Sequence, residues 1–303
     1  MDTDLDTLAT ALYVSVDDLL KDRPDLAPWR PRVGCAPEIS DAELVTLAVL
    51  SPLLGIDTEA RFLRYANAHL RHLFPYLPQQ PGYNKRLRKL GPALHAAIEH
   101  LAADTSVHTD DLLLVDSTPI ECARSRETVK RSDLAGWAEY GYCASHSRYF
   151  WGLRLHLVTT VHGLPIAYAL TGAKADERQV LLDLLDTPAL THRAGTTLAA
   201  DKFYYGQHLE TALAERGYTL LRKNRRPRPT PPLVRRLLKP IRQTIECVFD
   251  TIKDQLSLER HHGHTPAGVT IRVLQRLLAL TAAVWHNDKT GQPVLRSLTA
   301  YDH

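Results

Sequence analysis

The stretch Leu112-Leu113-Leu114-Val115-Asp116-Ser117-Thr118-Pro119-Ile120 decides how this chain is read. Four aliphatic residues in succession suit a strand buried on both faces, because a half-exposed strand would alternate. The run ends on a carboxylate. Taking a lone ionised carboxylate out of water is costly, so Asp116 either sits at a solvated strand end or faces a cation. Asp-Ser-Thr-Pro is also ordinary turn chemistry, and the segment alone does not choose. Two other features bear on the choice. A second short aliphatic strand, 196–200, ends at Asp201, and an amphipathic helix further on carries Glu246.

The whole-chain properties set the frame. With 303 residues, 44% of them hydrophobic, the chain can bury a sizeable core in one large domain or two smaller ones. The formal charge is only +3, so the distribution of charge matters more than its sum. Cys35, Cys122, Cys143 and Cys247 are scattered without a C-x-x-C pair, which argues against a zinc ribbon or redox motif and suits a reducing cytosol. The start, Met1-Asp-Thr-Asp-Leu-Asp, is acidic, unlike a signal peptide. No apolar run approaches the roughly 18 residues that cross a bilayer. A cytoplasmic protein with no membrane partner is expected.

Upstream of the decisive stretch, residues 1–105 read as an all-α domain. Ser40-Asp41-Ala42-Glu43 is a capping box opening the apolar run 44–54, and Gly55 stops it. Thr58 caps the next helix. A fourth runs from about Tyr83 to Ala103, with a break at Gly91-Pro92. The fourth helix carries Lys85, Arg86, Arg88 and Lys89, and the third carries Arg61, Arg64 and Arg71. Such a basic edge is either a solvated face or a DNA-reading surface.

Downstream, the period changes. After a polar stretch, 121–147, the segments 149–161 and 165–171 read as strands and complete a three-stranded antiparallel meander. Then follow a helix over 177–185 capped by Asp176, the strand 196–200, a helix over 206–216 ended by Gly217, and a strand over 218–221. Residues 222–239 hold eight basic residues and no acid, among them Arg222, Lys223, Arg225 and Arg226. Prolines keep much of this segment extended, and its position inside the chain favours contact with a polyanion such as DNA. A helix over 240–258, with Pro240 in its first turn, buries Ile241, Ile245, Val248, Ile252 and Leu256. Arg242, Glu246 and Lys253 follow at i, i+4 and i+11, within about 40° of one another on an α-helical wheel. Taken alone they are an ordinary surface ion-pair row. A last helix covers 266–286. The domains expected are 1–105, 106–290 and a tail over 291–303.

Three strands in a meander, then helix, strand, helix, strand and final helix, is the order of a ribonuclease-H-like fold: an α/β mixed sheet with flanking helices. Its first strand is central and the fourth lies beside it. Asp116 and Asp201 would then end neighbouring strands, roughly 4.8 Å apart, where two carboxylates are stable only by sharing a proton or holding a cation. Glu246 completes an oxygen-only set, suited to Mg²⁺, with Mn²⁺ as substitute, rather than zinc. Two such ions suit in-line phosphoryl transfer. Asp116 would bridge both, with Asp201 on one and Glu246 on the other. Arg242, Lys253 and the basic segment would grip phosphates.

These residues resemble a known family. Leu-Val-Asp116-Ser-Thr-Pro-Ile, Ala-Ala-Asp201-Lys-Phe-Tyr and Arg242-x-x-x-Glu246-x-x-x-x-x-x-Lys253 are similar to the motifs of bacterial insertion-sequence DDE transposases, in particular the insertion-sequence group nine-eighty-two. Tyr142-Cys-Ala-Ser-His-Ser-Arg-Tyr-Phe-Trp-Gly152-Leu-Arg-Leu-His156 resembles that group's second-strand region, and Tyr83-Asn-Lys-Arg-Leu-Arg-Lys-Leu90 its N-terminal module. The resemblance implies a transposase that cuts transposon-end DNA and joins the 3′-hydroxyl to target DNA. Asp116, Asp201 and Glu246 would be its metal triad, and Arg242 and Lys253 accessory DNA contacts. It also implies double-stranded terminal inverted repeats as partners, a homodimer or higher multimer, and a place on the nucleoid. One departure stands out: Lys239 occupies a position where related transposases often have tyrosine. The competing readings are a metal-dependent nuclease without strand transfer and a DNA-binding protein without catalysis. Asp250 and Asp254 compete with Glu246 as third acid, Asp176 or Glu177 are further acids near the site, and His261-His262-x-His264 is a minor metal candidate.

Overall fold

The computed structural model describes residues 3–27, 36–143, 147–224, 230–294, 298 and 301. Five helices come first: α1 (Thr3–Asp22), α2 (Asp41–Leu53), α3 (Glu59–His69), α4 (Gln80–Leu87) and α5 (Gly91–Ala103). The strands follow, interleaved with shorter helices: β1 (Leu112–Ala123), α6 (Arg126–Arg131), β2 (Glu139–Cys143), β3 (Arg148–Thr160), β4 (Pro165–Gly172), α7 (Glu177–Leu185), α8 (Pro188–Thr191), β5 (Thr197–Ala200), α9 (Gln207–Glu215), β6 (Thr219–Leu221), α10 (Pro232–Asp250) and α11 (Pro266–Lys289). Contacts divide the chain into two compact units, residues 1–105 with 251–303, and residues 106–250.

In the helical unit the capping box forms as the sequence suggests. Ser40 Oγ accepts from the Glu43 amide, and Glu43 Oε2 accepts from the Ser40 amide at 2.6 Å. Gly55 ends the segment at φ +63°, a left-handed conformation that side chains resist. The fourth helix breaks into two beside Gly91-Pro92, as expected, and begins at Gln80. A 3-10 turn, Arg88–Leu90, parts α4 from α5, and Pro92 falls in the first turn of α5, where no amide is needed. Helix α11 is apolar and long enough to cross a membrane by length and composition, but most of it is buried inside this unit against α5, α2 and α1. That burial is what a core helix requires.

The second unit is a six-stranded mixed sheet. Its main order is β2-β3-β1-β5-β6, with β4 also paired to β3. Strand β1 is central, antiparallel to β3 and parallel to β5, and β5 is parallel to β6. Leu113, Leu114 and Val115 are buried, as the unbroken aliphatic run demands. Strands β4 and β2 lie end to end along one edge of β3, β4 opposite Leu153–Thr159 and β2 opposite Arg148–Gly152. At the crossing of β3 and β1, Gly152 is required: a Cβ there would collide with the carbonyl oxygen of Ile120. This central parallel pair flanked by an antiparallel meander, with helices packed on it, is the ribonuclease-H-like architecture expected.

Three local readings are corrected. The polar stretch 121–147 contains a strand, β2, hidden because its glycine and outward tyrosines show no apolar alternation: Tyr140, Tyr142 and Tyr149 remain exposed. The helix bearing Glu246 starts eight residues early, at Pro232, so 232–239 is helical rather than extended, and Pro240 lies inside the helix rather than in its first turn. Burial of Leu238, Ile245 and Val248 offsets the amide bond that Pro240 cannot make. That α-helix stops at Asp250 and gives way to a π-helical segment, Thr251–Gln255. The α-helical spacing assumed for Lys253 therefore does not hold to the end.

Candidate active site

Asp116 does not end its strand as expected: β1 runs on to Ala123 because β3 pairs with it along that length, and Asp116 sits half-buried where the buried aliphatic run stops, its Oδ1 accepting from the Ser117 amide at 2.8 Å. The parallel register pairs Val115 with Ala200, which sets Asp116 and Asp201 as the next residues along adjacent strands. Such strands are about 4.8 Å apart. Burial pushes the Asp116 carboxyl up to about 7; Glu177 and Asp201 push the same way, against the Ser117 amide and Arg242.

Asp201 Oδ1 is buried and accepts no hydrogen bond. It is paired with Arg242, whose Nη1 lies 3.4 Å away, while Nη2 of the same guanidinium lies 3.5 Å from Glu246 Oε1. One guanidinium thus reaches both acids. Helix α10 brings it there by packing Leu238, Ile241 and Ile245 against Leu114, Val115, Ala199 and Ala200. The crevice they share with Asp116, Asp201 and Arg242 has free space of ≈ 10 Å³, room for about one water molecule. The Glu246 side chain is 59% exposed and does not line that crevice.

Among the described residues, no three His, Cys, Asp or Glu side chains converge as a ready metal cage. Two observations nevertheless match a cation's needs. A buried carboxylate oxygen of Asp201 lacks a hydrogen bond, and the Asp116 carboxylate is held in a place that disfavours its charge. The donors are all oxygen, as Mg²⁺ and Mn²⁺ prefer. Arg242 pairs with both Asp201 and Glu246.

Around Asp116 lie residues that sequence reasoning ranked low or missed. Ser117 Oγ donates to Glu177 Oε1 at 2.7 Å, and Arg154 Nη1 donates to the same oxygen at 2.7 Å. Tyr204, three residues past Asp201, is fully buried, and burial raises its hydroxyl well above the usual range. The sequence held no clear signal for Arg154: in Leu153-Arg-Leu-His-Leu157 it falls at a polar position of an alternating strand, where a charge reads as solvent-facing.

The predicted DNA contacts are scattered. Lys85 and Arg88 are exposed, but Arg86 is turned inward onto Asp41 at 2.7 Å and the Ile39 carbonyl oxygen at 2.8 Å. Arg222 pairs with Glu210, and Lys223 is half-buried. Arg225 and Arg226 lie outside the described residues. Lys253 belongs to the unit formed with the N-terminal helices, whereas Arg242 and Glu246 belong to the sheet unit. His261 is buried, its Nδ1 accepting from the Gly263 amide, and His262 lies 3.5 Å from Asp57.

The family model for the transposase DDE domain matches residues 108–282, more than half of the chain. The chain belongs to the transposase DDE domain family. Asp116, Asp201, Arg242, Glu246 and Lys253 all fall inside the matched span, and Lys85, Arg86 and Arg88 outside it. Among curated proteins none matches the chain. As a DDE transposase it is a nucleic-acid-processing enzyme of transposition, its partner is DNA, and its family generally works with divalent metal ions.

Proposed function

We propose that this DDE transposase cuts the ends of an insertion sequence and joins the freed 3′-hydroxyl to target DNA, with Asp116, Asp201 and Glu246 as its metal-holding acids. The observation that carries this reading is the register of β1 against β5, which sets two acidic residues side by side, together with Arg242 joining Asp201 to Glu246. Mg²⁺, or Mn²⁺ in its place, would supply charge neutralisation for attacking and leaving oxygens of an in-line displacement. The chain's own residues do the rest. Asp116 is fixed within the long strand β1 and Asp201 directly after β5, which suits groups that must be placed to within fractions of an ångström. Glu246, on the solvent side of α10, turns toward them once Arg242 releases it. Arg242 then becomes free to contact a DNA phosphate, as do Lys223, Arg225, Arg226, Lys253, Lys85 and Arg88.

Affiliation with the insertion-sequence group nine-eighty-two rests on the motifs around Asp116, Gly152 and Asp201. The substrate places the enzyme on the nucleoid of the cytoplasm. Two transposon ends brought together call for a dimer or higher multimer. A strand-transfer assay with a pre-cleaved inverted-repeat end, Mg²⁺ and a plasmid target tests the reading. Covalent joining of the 3′ end to the plasmid is expected; cutting without joining would leave a nuclease, and binding alone an inactive DNA-binding protein.

A further inference from the structure

The cluster beside Asp116 is more than an ion pair. Arg154 projects from the middle of β3, Glu177 from the first turn of α7, and Ser117 from β1 next to Asp116. Arg154 Nη1 donates to Glu177 Oε1 at 2.7 Å and to Ser117 Oγ at 3.0 Å, and Ser117 Oγ donates to the same Glu177 oxygen at 2.7 Å. Nη2 of Arg154 reaches the Tyr142 carbonyl oxygen of β2 at 3.4 Å. Four elements therefore meet on one guanidinium. The side chains of Arg154 and Glu177 are only 15% and 28% exposed, a placement with a desolvation cost that a purely structural contact could avoid with apolar residues. What the cluster fixes is residue 117. Ser117 is held through its side chain, and its backbone amide donates to Asp116 Oδ1 at 2.8 Å.

We infer that Arg154 and Glu177 are positioning residues: through Ser117 they fix the Asp116 carboxylate in the orientation that a divalent ion requires. The inference rests on the metal-holding role given to Asp116 above. Groups that hydrogen-bond a metal ligand from behind set its orientation, and their loss typically weakens metal binding about 10- to 100-fold. Here the support is one step further back, through a backbone amide, so an effect at the lower end is expected. The three side chains share one oxygen, so they act as a unit. Removing two of them together weakens binding little more than removing one.

The test is a titration of the full chain with Mn²⁺, following free Mn²⁺ by electron paramagnetic resonance, with a melting curve on each sample. Glu177→Ala and Arg154→Ala are expected to weaken Mn²⁺ binding about ten-fold, and the double variant to match the worse single variant. Glu177→Gln keeps an acceptor for both donors and is expected to restore most of the affinity. Ser117→Ala, which removes only the hydroxyl, is expected to weaken binding in the same direction. Variants that melt lower yet bind Mn²⁺ as the wild type does would show the cluster to be merely structural and overturn the inference. Asp116→Ala separates the two layers. If it abolishes binding while the cluster variants keep it, the inference alone fails; if it binds normally, the metal reading fails and the inference with it.

Discussion

Asp116 carries an unusual demand: it is a carboxylate whose charge the folded chain disfavours. Its carboxyl lies near 7 in the fold against an ordinary 3.8. Between those values the folded state holds a proton that the unfolded state has lost, so this group lowers stability as pH rises from about 4 to about 7, and leaves it flat above. Asp116→Asn removes the charge. In metal-free buffer the variant should equal wild type near pH 4 and exceed it at pH 8, by an amount of order 2 kcal/mol after allowance for the partial exposure of Asp116. Denaturant melts of both proteins across that range check this; equal stability at pH 8 would show that the carboxylate is comfortably solvated. The sequence marked Asp116 as a candidate because it follows an unbroken aliphatic run and has counterparts in Asp201 and Glu246, although the run alone left a solvated turn open. Glu177 and Ser117 stood out less, since the first reads as a common first-turn acid behind the Asp176 cap and the second as turn chemistry. Only the approach of Arg154 across the sheet gives them a shared task.

At the level of elements, helix α10 holds the arrangement together and was the one most misread. Its amphipathic stripe was plain, but proline is common at helix starts, and that preference drew the boundary to Pro240 instead of Pro232. The apolar contacts of Leu238 decide the matter by burying the turn before the proline. A direct consequence follows for Pro240→Ala. At a first-turn position the change would be nearly neutral, whereas inside the helix it restores an amide donor and relieves crowding against the preceding turn. A gain of about 1 kcal/mol or more is expected from chemical denaturation, and a loss would contradict an interior position. Strand β2 escaped notice for the opposite reason. Five residues with a glycine at the centre and tyrosines facing out carry too little apolar signal, and the strand exists because β3 offers it an open edge beside β4. By contrast β1, β3, β4 and β5 were readable from their aliphatic content, and the Ser40–Glu43 cap from four residues.

For the whole molecule, the order of strands and helices implied the ribonuclease-H-like sheet, and the match over residues 108–282 places the chain among DDE transposases. Which chain segments share a compact unit was not readable from order. Residues 251–303 group with the first 105 because α11 is apolar on nearly every side and needs several helices around it. DNA binding is also a property of the whole surface, and its electrostatic share is read from salt. Charge reversal at Arg225 and Arg226 together should weaken binding to inverted-repeat DNA and flatten the slope of log affinity against log salt, by about two units if both contact phosphates. Fluorescence anisotropy at several salt concentrations measures it; an unchanged slope would make this segment a solvated loop.

Three acids, distant in sequence, are proposed to serve one phosphoryl-transfer centre. Cleavage of DNA carrying the element's own inverted repeats, with Mg²⁺ and each nick mapped to the nucleotide, tests this when run on Asp116→Ala, Asp201→Ala and Glu246→Ala beside a binding assay. Each variant should lose cleavage and keep DNA binding; Mg²⁺-dependent cleavage near the wild-type rate in any one of them would contradict the shared site.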